Sequence, residues 1–175
     1  MPGLSDVLEG SQRPGHFRGV ATVVLKLLNI VQPDVAFFGQ KDYQQQLLIR
    51  KLVSDLNVPV EIQTCPTIRE EDGLALSSRN AYLSNDERQT ALELSKTLRM
   101  AGDWLADGVA VAEIRSRMQS HLESIPGLVL DYATIVDPQT LDEIDESQTD
   151  WVALVAAKVG STRLIDNLQS GESGK

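Results

Sequence analysis

The stretch that decides the fold is Val35-Ala36-Phe37-Phe38-Gly39-Gln40-Lys41-Asp42-Tyr43-Gln44-Gln45. Its four consecutive apolar residues end at a glycine, which is typical of a strand buried on both faces in a parallel sheet. A helix is predicted next, at about residues 43–56, with Asp42 as its N-cap. Pro59 then precedes an alternating run at residues 60–65 that predicts a second strand. Together these elements form a βαβ unit.

A strongly apolar helix is predicted before this unit, at about residues 19–31. Val20, Val23, Val24 and Leu27 recur at spacings of three and four residues, and further apolar residues widen the stripe. We therefore expect this helix to be largely buried.

The chain changes character after residue 65. Residues 66–83 predict a long polar loop, and we place a domain boundary near residue 80. Ser84 and Glu87 form a capping box before a helix of about 20 residues. A second helix is predicted from about Val111.

Strands complete the second half. One is predicted at about residues 128–136, and two more are joined by a turn at Gly160-Ser161. We therefore expect two helices to cover a three-stranded antiparallel sheet. The predicted domains are residues 1–80 and 81–168, and residues 169–175 are expected to form a disordered tail.

The composition is that of an acidic globular protein. The formal net charge is −9, and 42% of the residues are hydrophobic. The lack of a basic stripe argues against nucleic-acid binding, and no apolar run is long enough to predict a membrane span. The single cysteine, Cys65, lies in a strand-like run and is expected to be buried. One cysteine and no signal-peptide pattern at the start indicate a cytoplasmic protein.

Candidate ligand-binding groups follow the first predicted strand. Ligands of open α/β sheets bind at the carboxyl ends of strands, where Gly39 allows a close approach and the next helix start attracts an anion. Lys41 adds a positive charge suited to phosphate. Gln45 continues the inward face of its helix and needs a polar partner, which a ligand would supply. In the alternative interpretation, Lys41 is a solvated charge and Gln45 bonds nearby backbone.

A second candidate group lies in the polar loop. Ser77, Ser78 and Arg79 combine two hydroxyls with a guanidinium that suits phosphate, but an ordinary polar linker has the same composition. His16 is either a catalytic base or a structural residue at a helix start. No His/Cys cluster has metal-ligand spacing, and no P-loop motif occurs.

Four blocks of the sequence carry a resemblance to a known family. They are Arg13-Pro14-Gly15-His16-Phe17-Arg18-Gly19-Val20, Phe38-Gly39-Gln40-Lys41-Asp42-Tyr43-Gln44-Gln45, Asp72-Gly73-Leu74-Ala75-Leu76-Ser77-Ser78-Arg79-Asn80 and Arg163-Leu164-Ile165-Asp166-Asn167. In this order and at this spacing they resemble blocks of the pantothenate synthetase family, the pantoate–β-alanine ligases.

The resemblance implies a fold and a reaction. The implied fold class is α/β: a partial Rossmann-like sheet of the nucleotidyltransferase type, followed by a smaller α+β lid domain with a K-M-S-K-S-like loop. In the implied reaction, ATP adenylates the carboxylate of pantoate and pyrophosphate is released. The amine of β-alanine then displaces AMP to give pantothenate. ATP is thus a substrate, and Mg²⁺ and a cytoplasmic homodimer are also implied.

The resemblance also implies roles for individual residues. Lys41, Ser77, Ser78 and Arg79 are the implied catalytic residues. The resemblance implies that the ribose of ATP contacts Gly39 and Asp42 and that its adenine contacts Ile68 and Leu76. It implies that the phosphates contact Lys41, Ser77, Ser78 and Arg79. The implied pantoate contacts are Gln45, Val23 and Val24.

Two departures from the family pattern change these expectations. Gln40 stands where the family often has Glu. The family's H-x-G-H motif and its Mg²⁺-binding acidic residue precede the matched blocks and do not occur in this sequence. The resemblance therefore implies the C-terminal portion of a ligase, with no metal site of its own and little or no activity alone. The alternatives are a non-catalytic module that binds nucleotide or pantoate, and another enzyme of the nucleotidyltransferase superfamily.

Overall fold

The computed structural model describes residues 3–145 and 148–172 and has the α/β architecture expected from the sequence. The chain divides into two compact units, Met1–Thr67 and Ile68–Lys175. The division therefore falls after Thr67, whereas the sequence places the boundary near residue 80. The difference arises because the supposed polar loop belongs to the second unit, where Leu74 joins the hydrophobic core.

The first unit contains the predicted βαβ unit, preceded by two helices. The two strands pair in parallel, with Gly39 opposite Cys65 at their carboxyl ends. A left-handed Gly15 (φ 80°) precedes the second helix, a conformation that glycine adopts without strain. The elements are α1 (Glu9–Gln12), α2 (His16–Val31), β1 (Val35–Gly39), α3 (Tyr43–Asp55) and β2 (Glu61–Cys65).

The expected burial of α2 is wrong. Phe17 and Leu28 are buried, but Val23, Leu27 and Ile30 are 52%, 53% and 72% exposed. We call these last three residues the open apolar face of α2. The periodicity identified an apolar stripe correctly, but no described residue of this unit covers this part of it.

The strands of the first unit are also more exposed than the sequence predicts. Phe37 of β1 is 65% exposed, because the sheet has only two strands among the described residues. Cys65, expected to be buried, is exposed at the end of β2. Parallel strands are usually covered on both faces, so this sheet is unusually open.

The second unit is a helix pair on an antiparallel sheet, as predicted. Ser84 caps the first helix, and Ser84 and Glu87 form the predicted capping box. The sheet order is β3-β4-β5, with both pairs antiparallel. The elements are α4 (Asn85–Ala106), α5 (Val111–Glu123), β3 (Leu128–Val136), β4 (Val152–Val159) and β5 (Thr162–Gln169).

The core of this unit lies between the helices and the sheet. Leu98 of α4, Ile114 and Met118 of α5 and Val155 of β4 are at most 1% exposed. Burying a side chain of this size contributes about 1.5–3 kcal/mol. The core therefore holds the unit together without a disulfide, since the chain has one cysteine.

The predicted disordered tail begins with ordered residues. Gln169 is the last residue of β5, and the Ser170 N–H donates to the carbonyl oxygen of Trp151 at 2.9 Å. The Glu172 N–H donates to the carbonyl oxygen of Gln169 at 3.1 Å, so a turn follows the end of β5. Residues 173–175 of the predicted tail lie outside the described residues.

Candidate functional site

The first candidate group lies at the carboxyl end of β1. Gly39 ends the strand, Gln40–Asp42 form a 3-10 turn, and α3 begins at Tyr43. Gly39 and Asp42 are exposed, Lys41 is half-buried, and a side chain at position 39 would meet no described atom within 4 Å. Open space therefore adjoins the backbone at the sheet edge where the sequence predicts a ligand.

The glutamines of α3 differ from the prediction. Gln45 is only half-buried, whereas Gln44 and Gln46 are 4% and 6% exposed. The Gln44 amide is satisfied by backbone: its Oε1 accepts from the Glu9 N–H at 3.0 Å, and its Nε2 donates to the carbonyl oxygen of Leu4 at 2.6 Å. Gln44 therefore ties the segment before α2 to α3. In the sequence, this link is indicated only by the run of three consecutive glutamines.

His16 belongs to the first sequence block. It begins α2, and its ring lies 5.1 Å from that of Phe17. Burial and the nearby Arg13 lower the pKa of His16, while Glu9 and Asp42 act in the opposite direction. Charged groups of the first and second sequence blocks therefore act on the His16 ring.

The two predicted pantoate-contacting valines lie on α2. Val24 is half-buried, and Val23 belongs to the open apolar face. Arg18 and Lys26 flank this face on the same helix, and the face is wide open to solvent.

The second candidate group begins with a hairpin. The Leu76 N–H donates to the carbonyl oxygen of Ile68, and the Glu70 N–H to that of Leu74, both at 2.8 Å. We call residues 68–76 the 68–76 hairpin. Ile68 and Leu76 are opposite each other across it and are 65% and 54% exposed. The structure thus brings the two predicted adenine contacts side by side.

A short 3-10 helix, Ser78–Tyr82, follows the hairpin. Ser77 caps it, because its Oγ accepts from the Arg79 N–H at 3.2 Å. Ser78 and Arg79 are exposed, whereas Asn80 is buried. We call Ser77, Ser78 and Arg79 the 77–79 segment. Its two hydroxyls and its guanidinium lie at the start of the 3-10 helix, directly before the buried Asn80.

Asn80 is a residue whose importance sequence reasoning missed. Its Nδ2 donates to Glu70 Oε1 at 2.6 Å and to the carbonyl oxygen of Ala75 at 3.1 Å. Its position directly after Ser-Ser-Arg was the available signal. The amide fixes the start of the 3-10 helix against the hairpin.

The predicted site residues therefore fall into two groups, one in each unit. Gly39, Lys41, Asp42 and Gln45 follow one another at the end of β1 and the start of α3, and the 77–79 segment belongs to the second unit. Among residues 3–145 and 148–172, no group of three or more His, Cys, Asp or Glu side chains is placed to hold a metal ion. None of the described helices is long and apolar enough to cross a membrane.

Sequence comparison relates the chain to known ligases. The Pantoate-beta-alanine ligase family model matches residues 1–169. Pantothenate synthetase of Thermodesulfovibrio yellowstonii is 52% identical over 167 residues, which cover 95% of this chain and 60% of that protein. A bifunctional pantoate ligase/cytidylate kinase of Thermosynechococcus vestitus is 54% identical over 165 residues, which cover 94% of this chain and 32% of that protein.

Solved structures show the same relationship. Pantothenate synthetase of Thermus thermophilus superposes with a TM-score of 0.92 at 45% identity, covering 96% of this chain and 61% of that one. A pantoate-beta-alanine ligase of Francisella tularensis, solved with beta-gamma ATP and beta-alanine, superposes with a TM-score of 0.69 at 33% identity. That match covers 98% of this chain and 57% of the Francisella chain. The chain thus spans about 60% of the length of the pantothenate synthetases that it matches.

Proposed function

Because the chain belongs to the pantoate–β-alanine ligase family, we propose that it is part of an enzyme that makes pantothenate from pantoate, β-alanine and ATP. The proposal rests on the placement of Gly39, Lys41 and Asp42 in a short turn between the carboxyl end of β1 and the start of α3. A parallel strand that ends at a helix start is where nucleotides bind in sheets of this type.

The proposed reaction has two steps. A carboxylate oxygen of pantoate attacks the α-phosphorus of ATP, and pyrophosphate leaves with the electrons of the broken P–O bond. The β-alanine amine then attacks the carbonyl carbon of the pantoyl adenylate, AMP leaves, and the amine nitrogen loses a proton. Negative charge builds on the phosphates in the first step, and Lys41 is proposed to stabilise it.

The 77–79 segment is proposed to bind the phosphates from the second unit. It corresponds to the K-M-S-K-S-like loop that the family resemblance implies. Ser78 and Arg79 are exposed, and the Ser77 hydroxyl accepts one hydrogen bond but keeps its own proton to donate. Arg79 supplies a planar group with several donors, which suits phosphate.

The organic parts of the substrates are proposed to meet apolar side chains and polar groups. The exposed pair Ile68 and Leu76 would cover the adenine, and Gly39 and Asp42 would contact the ribose. The proposed pantoate contacts are Gln45, Val23 and Val24. The half-buried amide of Gln45 suits the hydroxyls and carboxylate of pantoate, and the valines suit its methyl groups.

Mg²⁺ is implied by the family and by the use of ATP. Mg²⁺ usually binds the ATP phosphates together with one or two carboxylates. Its protein ligand is proposed to lie in a part of the ligase that this sequence does not contain.

The chain is further proposed to correspond to the C-terminal part of such a ligase and to make no pantothenate alone. The sequence has no H-x-G-H motif. The open apolar face of α2 and the exposed Phe37 support this proposal, because parallel strands and apolar helices normally pack against further elements. The assembled enzyme is proposed to be a cytoplasmic homodimer.

ATP binding at the first site can be tested through Cys65. This single cysteine is exposed and opposite Gly39, so its thiol reports on that edge of the sheet. Saturating ATP should slow its reaction with a thiol reagent. The Lys41→Met variant should lose this protection, whereas Lys51→Met, which removes an exposed lysine paired with Asp55, should keep it. A wild-type labelling rate that ATP does not change would contradict the proposed site.

The ligase proposal is tested by complementation. The chain alone should release no AMP above background from ATP, pantoate and β-alanine. Adding a separately expressed N-terminal half of a relative should restore the reaction. Turnover by the chain alone would overturn the fragment proposal. No rescue together with retained ATP binding would favour the alternative, a non-catalytic binding module.

The other alternative, a different nucleotidyltransferase-superfamily enzyme, would turn over ATP with another acid. The Arg13–His16 block and the glutamines of α3 favour pantoate over such a substrate.

A further inference from the structure

Arg88 of α4 joins two acidic residues of the 68–76 hairpin. Its Nε donates to Asp72 Oδ2 at 2.7 Å, and its Nη2 donates to Glu70 Oε2 at 2.7 Å. Arg88 lies in the first turns of α4, directly after the capping box of Ser84 and Glu87. The guanidinium therefore holds the hairpin turn against a well-anchored helix start.

The contact continues from Glu70 to the 77–79 segment. Glu70 Oε2 accepts from Arg88, and its Oε1 accepts from the Asn80 amide at 2.6 Å. The hydrogen bond from Asn80, followed by the one from Arg88, lowers the pKa of Glu70 below its ordinary value. Glu70 is therefore ionised at neutral pH and pairs with both neighbours at once. We call Arg88, Glu70 and Asn80 the clamp.

The clamp bonds to Asn80, the residue that directly follows the 77–79 segment. The segment's own hydrogen bonds are local: the Ser77 cap at 3.2 Å and the Asn80 N–H to the carbonyl oxygen of Ser77 at 3.0 Å. Ser78 and Arg79 are exposed. The base of the hairpin is held separately, by Arg69 and Asp166. Loss of the clamp should therefore loosen the segment while the unit stays folded.

We propose that Arg88 is a positioning residue for ATP binding, which acts through Glu70 and Asn80 to hold Ser77, Ser78 and Arg79 in place for the triphosphate. This inference rests on the proposed function. Arg88 does not itself touch the phosphates in this scheme. Because Arg88 orders the segment before ATP binds, binding does not have to offset the conformational entropy of ordering it.

The first test is tryptic cleavage of the full chain after Arg79, an exposed arginine in the clamped turn. Arg88→Gln should speed this cleavage about fivefold, because cleavage needs local opening of the turn. Arg117→Gln, which removes an exposed pair with Glu113, is the matched control and should leave the rate unchanged. Arg88→Lys keeps the charge but loses the two-pronged contact, so it should fall between wild type and Arg88→Gln.

The second test is protection of the Arg79 bond by ATP. Arg88→Gln should need about tenfold more ATP for half-maximal protection, with partial rescue in Arg88→Lys, while its urea midpoint stays close to wild type. Unchanged ATP dependence in Arg88→Gln would overturn the inference. A urea midpoint that falls enough to explain the cleavage would also overturn it, since Arg88 would then act on folding.

The two proposals fail in different ways. If ATP protects Cys65 and the Arg79 bond in the wild type but Arg88→Gln behaves identically, the inference falls and the proposed function stands. If ATP protects neither position in the wild type, ATP binding by this chain is refuted, and the role of Arg88 in it is refuted as well.

Discussion

Replacing Arg69 with methionine should strongly destabilise the second unit. Arg69 donates to both carboxylate oxygens of Asp166, at 2.7 and 3.1 Å, and to the carbonyl oxygens of Gly73 and Asn167, at 3.2 and 3.3 Å. The Asp166 side chain is 3% exposed and that of Arg69 19% exposed. The substitution keeps the apolar stem but removes the guanidinium from a buried carboxylate, whose Oδ1 still accepts from the Asn167 N–H at 2.8 Å.

The expected loss follows from this burial. Removing one partner of a buried ion pair costs about 3–5 kcal/mol, and the partial exposure of Arg69 favours the lower end, about 3 kcal/mol. With a urea dependence of about 2 kcal/mol per molar, the midpoint should fall by about 1.5 M. Tryptophan fluorescence is the assay, because both tryptophans, Trp104 and Trp151, belong to the second unit.

The matched control is Lys96→Met. It removes a cation that is 55% exposed and pairs with Glu93 on the same helix, so the free energy of unfolding should change by less than about 0.5 kcal/mol. If Arg69→Met shifts the urea midpoint no more than this control does, the Arg69–Asp166 pair does not anchor the hairpin and the reasoning is refuted.

Three further predictions concern the capping box and the surface. Gly160→Ala should lower the urea midpoint more than Gly108→Ala. Both positions have positive φ (56° and 76°), which strains alanine by about 1 kcal/mol. Only at Gly160 does the new Cβ also meet the Glu87 carboxylate. Equal shifts would show that Glu87 simply moves away. The hydrogen bonds from Ser84 lower the pKa of Glu87 in the folded protein. The stabilisation of the fold by ionised Glu87 is therefore complete above the ordinary pKa of 4.5 and is lost as the pH falls through the lowered native pKa. Glu87→Gln should therefore lose less unfolding free energy than wild type between about pH 7 and pH 3, measured by urea titration, and parallel pH profiles would contradict this. Ile30→Glu, at a position that is 72% exposed, should change the free energy of unfolding, measured by circular dichroism, by less than about 0.5 kcal/mol. A large loss of stability would mean that Ile30 is packed.

Local patterns in the sequence predict the secondary structure well. The apolar run before Gly39, the capping box of Ser84 and Glu87 and the turn at Gly160-Ser161 each depend on neighbouring residues, and each is present in the structure. Residue type and spacing are sufficient there because the interactions span only a few residues.

Burial and long-range pairing are not predictable in the same way. The stripe on α2 shows which side of the helix is apolar, but its exposure depends on which elements pack against it. The sequence predicts a loop where the 68–76 hairpin lies, although Asp72-Gly73 is a typical turn pair. The pairing of Arg69 with Asp166, 97 residues away, has no local signal.

The link between Arg69 and the last strand also sets an order of events during synthesis. Asp166 leaves the ribosome long after the hairpin does, so for most of translation the base of the hairpin lacks its partner on β5, although Arg88 can already bond Glu70 and Asp72. Nascent chains should therefore complete the support of the hairpin late, after the helix pair and the first two strands of the sheet have emerged.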